Sequence, residues 1–152
     1  MVRPSLEYAS TVWDPYKQKH INAIEQVQRR AARFVLNDYS SKNPGCVSNM
    51  IKDLNWESLE QRRRQSRLVM MYKIRNHLVD VNADNILQCS DARTRGKHKI
   101  FQQRINDQVL LNSFFYRTAR DWNLHPPETA SAPTLDAFRA LLCGVAQSTE
   151  FC

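Results

Sequence analysis

Clustered arginine and lysine residues are the groups in this sequence whose type and spacing most suggest chemistry. Residues 15–35, 57–77 and 93–104 together carry a net charge of +13, whereas the whole chain of 152 residues carries +7. Concentrated guanidinium and ammonium groups attract polyanions, and nucleic acid is the commonest polyanion that rewards such clustering. The competing interpretation is a set of solvated helix faces whose charges pair with acidic residues elsewhere.

The candidate contacts to a nucleic-acid backbone lie in these three segments. Each is a side chain that donates hydrogen bonds to phosphate oxygens, which holds a duplex in place without reading its bases. The candidates are Arg29, Arg30, Arg33, Arg62, Arg63, Arg64, Arg93, Arg95, Lys97 and Lys99.

The residue patterns of common catalytic and metal sites are absent from the sequence. There is no Gly-rich phosphate loop, no His-Glu zinc helix and no Asp-Asp or Asp-x-Asp pair that would place two metal ions. No two of the four cysteines have the short spacing of zinc ligands, and the histidines are scattered. We therefore expect no enzymatic activity, no metal and no cofactor.

The sequence also argues against a membrane partner. No apolar stretch approaches the ~18 residues that a spanning helix needs. The N-terminal residues MVRPSLEYAS lack the apolar core of a secretory signal, which predicts an intracellular protein with reduced thiols.

Long helices are the elements expected to position the basic residues, because only three glycines and six prolines interrupt the chain. The first long helix is predicted over 15–36, with Asp14 as its N-cap and Pro15 in its first turn. Its apolar positions, among them Phe34, recur at three-and-four spacing and predict a buried face. The opposite face is predicted to carry Asn22, Gln26, Arg29, Arg30 and Arg33.

The second long helix is predicted over 56–78. Arg63 and Arg67 project into its apolar arc, so each must pair with a carboxylate, extend outward to solvent, or meet a phosphate. Glu60 and Arg64, four residues apart, are a candidate ion pair.

Shorter elements complete the expected fold, which is mainly α. Helical patterns occupy 48–54, 114–123 and the stretch from Thr134 to Leu142, and a small basic β-hairpin is predicted near 97–112. The residues from 144 to 152 are expected to fray. The three tryptophans are interpreted as core anchors, namely Trp13, Trp56 and Trp122.

Six blocks of this sequence, taken together and in order, are similar to one known family. They are RPSLEYASTVWDPY at 3–16, IEQVQRRAARFV at 24–35, LNWESLEQRRRQSRLVMMYKI at 54–74, TRG at 94–96, NSFFYRTARDWNLHPPE at 112–128 and APTLDAFRALL at 132–142. The blocks resemble the C-terminal part of the reverse transcriptase (RNA-directed DNA polymerase) of jockey-like non-LTR retrotransposons.

The resemblance implies a thumb-like helical bundle at 1–80, a post-thumb region with the basic hairpin and short helices at 81–143, and a tail at 144–152. In that family the endonuclease and the palm, with its Tyr-x-Asp-Asp motif, lie upstream. The expectation is therefore a truncated, non-catalytic fragment that binds the backbone of an RNA–DNA or RNA duplex. The alternatives are a protein-interaction module that packs on the missing palm domain of the parent polymerase or on a partner protein, or a non-functional transposon remnant.

Overall fold

The computed structural model describes residues 6–83, 87, 98–100 and 106–148, with side chains up to residue 143. Across this part of the chain the protein is mainly helical, which confirms the expected fold class. Its helices are α1 (Ser10–Trp13), α2 (Gln18–Leu36), α3 (Cys46–Asp53), α4 (Leu59–Arg75), α5 (Gln108–Leu111), α6 (Phe114–Asn123), α7 (Pro127–Ala130) and α8 (Leu135–Ser148). None of these described helices is long and apolar enough to cross a membrane.

The chain forms two compact units that divide between Arg63 and Arg64, inside α4. The thumb-like and post-thumb regions, which meet at residue 80, stay a prediction. The first unit holds α1 to α3 and the first turn of α4, and the second holds the rest of α4 and α5 to α8.

The first unit buries a narrower stripe of α2 than the apolar pattern predicts. Ile21, Gln28 and Ala32 are the buried residues of this helix, and Gln28 Nε2 donates to the Glu57 backbone oxygen at 2.8 Å. Phe34, in the last turn, is 74% exposed, so its assignment to the core is wrong. A periodic pattern weighs every turn of a helix equally, whereas the packing of α2 ends before its last turn.

The start of α2 also differs from the prediction. The helix begins at Gln18, its N-cap is Lys17 without a side-chain hydrogen bond, and Asp14 lies further upstream. Asp14 accepts a hydrogen bond from Arg63 instead of capping the helix. The end is as predicted: Asn37 adopts a left-handed conformation and its N–H bonds back to Phe34.

The core of the second unit centres on three aromatic rings from three helices. Phe138 of α8 stacks on Tyr72 of α4, with 4.6 Å between ring centroids, and on Trp122 of α6, at 5.6 Å. The Tyr72 hydroxyl donates to the Ala132 backbone oxygen at 2.8 Å, so the polar end of the ring is satisfied inside the core.

The three tryptophans have different environments. Trp122 is buried, as predicted. Trp56 is only half-buried, and Trp13, at 39% exposure, is not a core anchor. Trp13 instead donates its indole N–H to the Tyr8 backbone oxygen at 2.7 Å.

The predicted hairpin near 97–112 is not seen in the described residues of that stretch. Residues 108–111 form helix α5 rather than a strand, because Asp107 caps it by accepting the Val109 N–H at 2.8 Å. The Ile100 N–H bonds to the Asn123 side chain. Residue 97 and residues 101–105 lie outside the described part of the chain.

The C-terminal helices agree more closely with the pattern. Helix α6 has the predicted bounds of 114–123. Helix α8 begins after Thr134, whose hydroxyl accepts the Ala137 N–H, and extends to Ser148, into the predicted tail. Residues 149–152 are outside the described range.

Candidate nucleic-acid interface

The exposed side of α2 carries cations and amides without any carboxylate. We call this side the basic face, and it consists of Lys19, Asn22, Gln26, Arg29 and Arg30, all of which are exposed. Each member lies three or four residues from another member, which places them along one side of the helix. The predicted exposure of Asn22, Gln26, Arg29 and Arg30 is thereby confirmed.

The only acidic residue of α2 lies off the basic face and is engaged elsewhere. Glu25 is half-buried, and its Oε1 accepts the backbone N–H of Glu60 at 2.8 Å. This carboxylate supports the first turn of α4, as an acceptor for an N–H that a helix start leaves without an intrahelical partner. Glu25 precedes Arg29 by one helical turn, so it is the one acidic neighbour of the basic face on α2, and its carboxylate is engaged by the start of α4.

Arg33 does not belong to the basic face, contrary to the prediction. Its guanidinium is half-buried and donates to the backbone oxygens of Asp38, at 3.1 Å, and Ser41, at 2.9 Å. The same Nη2 lies 3.4 Å from the Cys46 sulfur. Arg33 thus holds the loop after α2 against the start of α3, and its hydrogen bonds point inward rather than toward a ligand.

That loop is also stabilised by Asp38. Its Oδ1 accepts the backbone N–H groups of Ser40, at 3.2 Å, and Ser41, at 3.0 Å. The side-chain hydrogen bond from Ser41, followed by the backbone one, lowers the pKa of the Asp38 carboxyl below its ordinary value. The ionised form of this aspartate is therefore the form that the loop favours.

The three consecutive arginines at the start of α4 do not form a shared cationic surface. Arg62 donates through Nε to one Glu7 oxygen and through Nη2 to the other, at 2.8 Å. The hydrogen bond to Glu7 raises the pKa of Arg62, against a smaller effect of burial. Arg62 and Glu7 form a partly exposed ion pair, so the charge of Arg62 is largely compensated within the protein.

Arg63 is the most deeply buried arginine among the described residues. Its side chain is 1% exposed and that of Asp14 is 5% exposed, and Arg63 Nε donates to Asp14 Oδ1 at 2.9 Å. The guanidinium carbon also lies 6.0 Å from the centre of the Trp13 ring, a distance at which a cation is attracted to the aromatic face. Of the three alternatives for Arg63, the structure supports pairing with a carboxylate.

Arg64 and Arg67 share one acidic partner in the second unit. Arg67 Nη2 donates to Asp121 Oδ2 at 3.0 Å, and Arg64 Nε lies 3.6 Å from Asp121 Oδ1. Arg67 is buried, so the carboxylate interpretation holds for this residue too. The expected ion pair between Glu60 and Arg64 does not form, since Arg64 pairs with Asp121.

His125 lies beside this cluster. Burial lowers its pKa below the ordinary value, the nearby Arg64 charge lowers it further, and Asp121 opposes both effects. Neither ring nitrogen has a hydrogen-bond partner within the described part of the chain. His125 is thus held in its neutral form by its surroundings.

Of the four remaining candidates, the structure describes one. Lys99 is exposed and belongs to the second unit. Arg93, Arg95 and Lys97 lie outside the described residues. Among the candidates that are described, only Arg29 and Arg30 lie together on one exposed surface.

The sequence interpretation missed the two carboxylates that neutralise the arginines of α4. Asp14 follows Trp13 in the chain, and Asp121 precedes Trp122. No local pattern identifies these two aspartates, because each lies about 50 residues from its arginine in the chain. Within the described residues, no group of three or more His, Cys, Asp or Glu side chains could hold a metal ion.

Comparisons of the chain with protein-family models, with curated proteins and with solved structures give no match. The assignment of a function therefore rests on the basic face and on the sequence blocks described above.

Proposed function

We propose that this chain is a thumb-like region derived from a reverse transcriptase of the jockey-like non-LTR class, and that it binds the backbone of a template–primer duplex without sequence preference. The observation that carries the proposal is the exposed basic face of α2, which has no carboxylate. The resemblance of the sequence blocks supplies the duplex as the partner.

The basic face has the groups and the length that this role requires. Arg29 and Arg30 present guanidinium forks that fit two phosphate oxygens, Lys19 adds a mobile point charge, and Asn22 and Gln26 add amide donors. From Lys19 to Arg30 the helix rises about 16 Å, and phosphates along one strand are spaced about 3.4 Å apart on the duplex axis. The face therefore offers five donor side chains to a phosphate backbone along about 16 Å of helix.

The proposed contacts involve neither sequence recognition nor nucleotide transfer. Hydrogen bonds to phosphates set the position of a protein on a duplex but carry no direct sequence information. In this proposal the palm of the parent polymerase performs nucleotide transfer, and the residues of this chain hold the duplex.

The test is the salt dependence of binding to a blunt RNA–DNA hybrid. Each phosphate that a cation neutralises contributes a slope of roughly −0.9 in log affinity against log salt on duplex DNA. The double variant Arg29→Gln/Arg30→Gln should flatten the slope by about two units, while the preference among hybrid sequences stays unchanged. Fluorescence anisotropy over a salt series measures both quantities.

A matched control removes the same charge from elsewhere in the first unit. Lys42 and Lys52 are exposed and lie off α2, so Lys42→Gln/Lys52→Gln should keep the slope of the parent protein. If the Arg29/Arg30 variant keeps that slope as well, the basic face is a solvated surface and the proposal fails.

A second candidate function, a packing module for the palm domain, is favoured by one observation. Large apolar side chains at the end of α2 and just after it are exposed to solvent, namely Phe34, Val35, Leu36 and Tyr39. Neighbouring exposed apolar residues of this kind are typical of surfaces that bind another protein.

The oligomeric state in the absence of nucleic acid separates the two candidates. A module that has lost its packing partner should self-associate as its concentration rises, and Phe34→Ser should reduce the association. Sedimentation velocity that shows a monomer at all concentrations would leave duplex binding as the better interpretation.

A further inference from the structure

A short segment of the first unit exposes three aromatic rings within nine residues. Tyr8 is 80% exposed, Trp13 39% and Tyr16 48%. One exposed aromatic residue is ordinary, but three so close in the chain expose a concentrated apolar area. We call these three residues the aromatic segment.

The charges around the aromatic segment favour an anionic partner. Both carboxylates of this stretch are already paired with arginines, Glu7 with Arg62 and Asp14 with Arg63. Lys17 follows Tyr16 directly, is exposed, and places its ammonium 5.9 Å from the centre of the Tyr16 ring. The acidic groups of this stretch are thus compensated, whereas a cation lies beside an exposed ring.

Exposed rings next to cations are the chemistry by which proteins bind single-stranded nucleic acid. Each base has an aromatic face that can stack on a side-chain ring, and nearby cations follow the backbone. A duplex offers no such base faces along its length, because its bases are stacked on one another. The aromatic segment therefore suits a single strand with unpaired bases, whereas the basic face of α2 suits a duplex backbone.

We propose that the aromatic segment is a second binding surface, which stacks the unpaired bases of a single-stranded nucleic acid. Trp13 also has a structural role, since its indole N–H bonds to the Tyr8 backbone and its ring faces Arg63. Tyr8 and Tyr16 are consequently the residues that test stacking with the least effect on the fold.

The experiment compares two single strands with the same charge. One is an oligodeoxythymidine strand, and the other is an abasic strand of equal length, which has the sugar–phosphate backbone but no bases. The parent protein should bind the strand with bases more tightly. Tyr8→Leu/Tyr16→Leu keeps apolar side chains but removes two rings, and should lower affinity for that strand by about 30-fold or more. Binding to the abasic strand should not change.

The control is Tyr39→Leu, which removes an exposed tyrosine of the same unit that lies outside the segment. It should leave the affinity for both strands as in the parent. Equal denaturation midpoints for parent and variants establish that the fold is retained. If the double variant does not fold, Tyr16→Leu alone should still lower affinity for the strand with bases.

Two results would overturn the proposal. One is equal affinity of the parent for the two strands. The other is self-association of the parent, without nucleic acid, that the double variant abolishes, because the segment would then be a protein interface. Binding to the blunt hybrid is measured in parallel and should be unaffected by the tyrosine variants. Failure of base stacking is thereby distinguished from failure of duplex binding by the basic face.

Discussion

Arg33 and Phe34 are neighbours in the chain with environments opposite to those that their chemistry suggests. The arginine is half-buried and bonded to two backbone oxygens, and the phenylalanine is largely in water. Hydrogen bonds that involve a charged group typically contribute about 1.5 to 3 kcal/mol, whereas truncating an exposed side chain changes stability by about 0.5 kcal/mol or less.

The two positions therefore predict different costs on truncation. Arg33→Ala should lower the free energy of unfolding by about 1 to 3 kcal/mol, and Phe34→Ala by no more than about 0.5 kcal/mol. Urea melts of the two variants measure this, with the exposed Arg30→Ala as the control for loss of an arginine. A larger cost for Phe34 than for Arg33 would contradict the description of this helix end.

His125 predicts a pH dependence of stability. Its folded-state pKa lies below the ordinary value of 6.5, mainly because of burial and then Arg64, so the unfolded chain takes up the proton first as the pH falls. The stability due to neutral His125 is present above about pH 6.5 and is lost as the pH falls toward the folded-state pKa.

Denaturant midpoints measured from neutral to mildly acidic pH test this prediction. The parent should lose stability more steeply than His125→Gln, and the difference between the two curves should grow below about pH 6.5. Parallel curves would show that His125 binds its proton equally well in the folded and unfolded chains.

At the scale of elements, buried ion pairs tie α4 to the parts of the chain packed against it within each unit. The pair of Arg63 and Asp14 is almost fully withdrawn from water. Removing one member of such a pair leaves an uncompensated buried charge, which costs about 3 to 5 kcal/mol, whereas replacing both by apolar groups is often neutral.

The expected outcome is thus non-additive. Arg63→Met alone should destabilise the protein by about 3 to 5 kcal/mol, and adding Asp14→Leu should recover a large part of the loss. A double-mutant cycle in guanidinium chloride measures the coupling. Additive costs would mean that the two side chains do not act as a pair.

The aromatic stack of the second unit joins three helices, and it predicts how substitutions in that core change stability. Phe138 is buried between Tyr72 and Trp122, so Phe138→Ala should cost about 3 to 5 kcal/mol. Tyr72→Phe keeps the stack but leaves the Ala132 oxygen without its donor, and should cost about 1 to 3 kcal/mol. Thermal melts that rank the two variants in the reverse order would contradict this account of the core.

At the scale of the whole molecule, the basic residues fall into two groups. Some form ion pairs within the fold, and others are exposed to solvent, where they can bind a ligand. The net charge of +7 arises from 22 basic and 15 acidic residues, and several of the arginines are paired with carboxylates of their own unit. The exposed positive charge of α2 is smaller than the sequence clusters suggest, and on this helix it lies on the basic face. Among the described candidates, Arg29 and Arg30 lie together on this face, as the proposed backbone binding requires.

The same view predicts that the chain does not polymerise nucleotides by itself. Nucleotide transfer needs carboxylates that hold two metal ions about 4 Å apart, and the acidic residues of α4's neighbours are paired with arginines. Purified protein with a primed RNA template, deoxynucleotides and magnesium should extend no primer. Metal-dependent extension by a preparation free of other polymerases would contradict the prediction.

Helical periodicity and the scarcity of glycine and proline were enough to predict a mainly α fold, the end of α2, the bounds of α6 and the exposure of Arg29 and Arg30. These features depend on local preference and on one helix at a time. The pairing requirement for Arg63 and Arg67 was also predictable, because burying a charge is costly in any fold.

Only the tertiary structure decided which carboxylates meet those arginines and that Phe34 lies in water. Asp14 and Asp121 are about 50 residues from their partners in the chain, and a contact at that separation leaves no trace in a helical period. Whether an apolar side chain is buried depends on where the neighbouring element ends. Local spacing carries no information about that end, so the helical pattern placed Arg29 and Arg30 correctly on the exposed face but could not separate Arg33 from them.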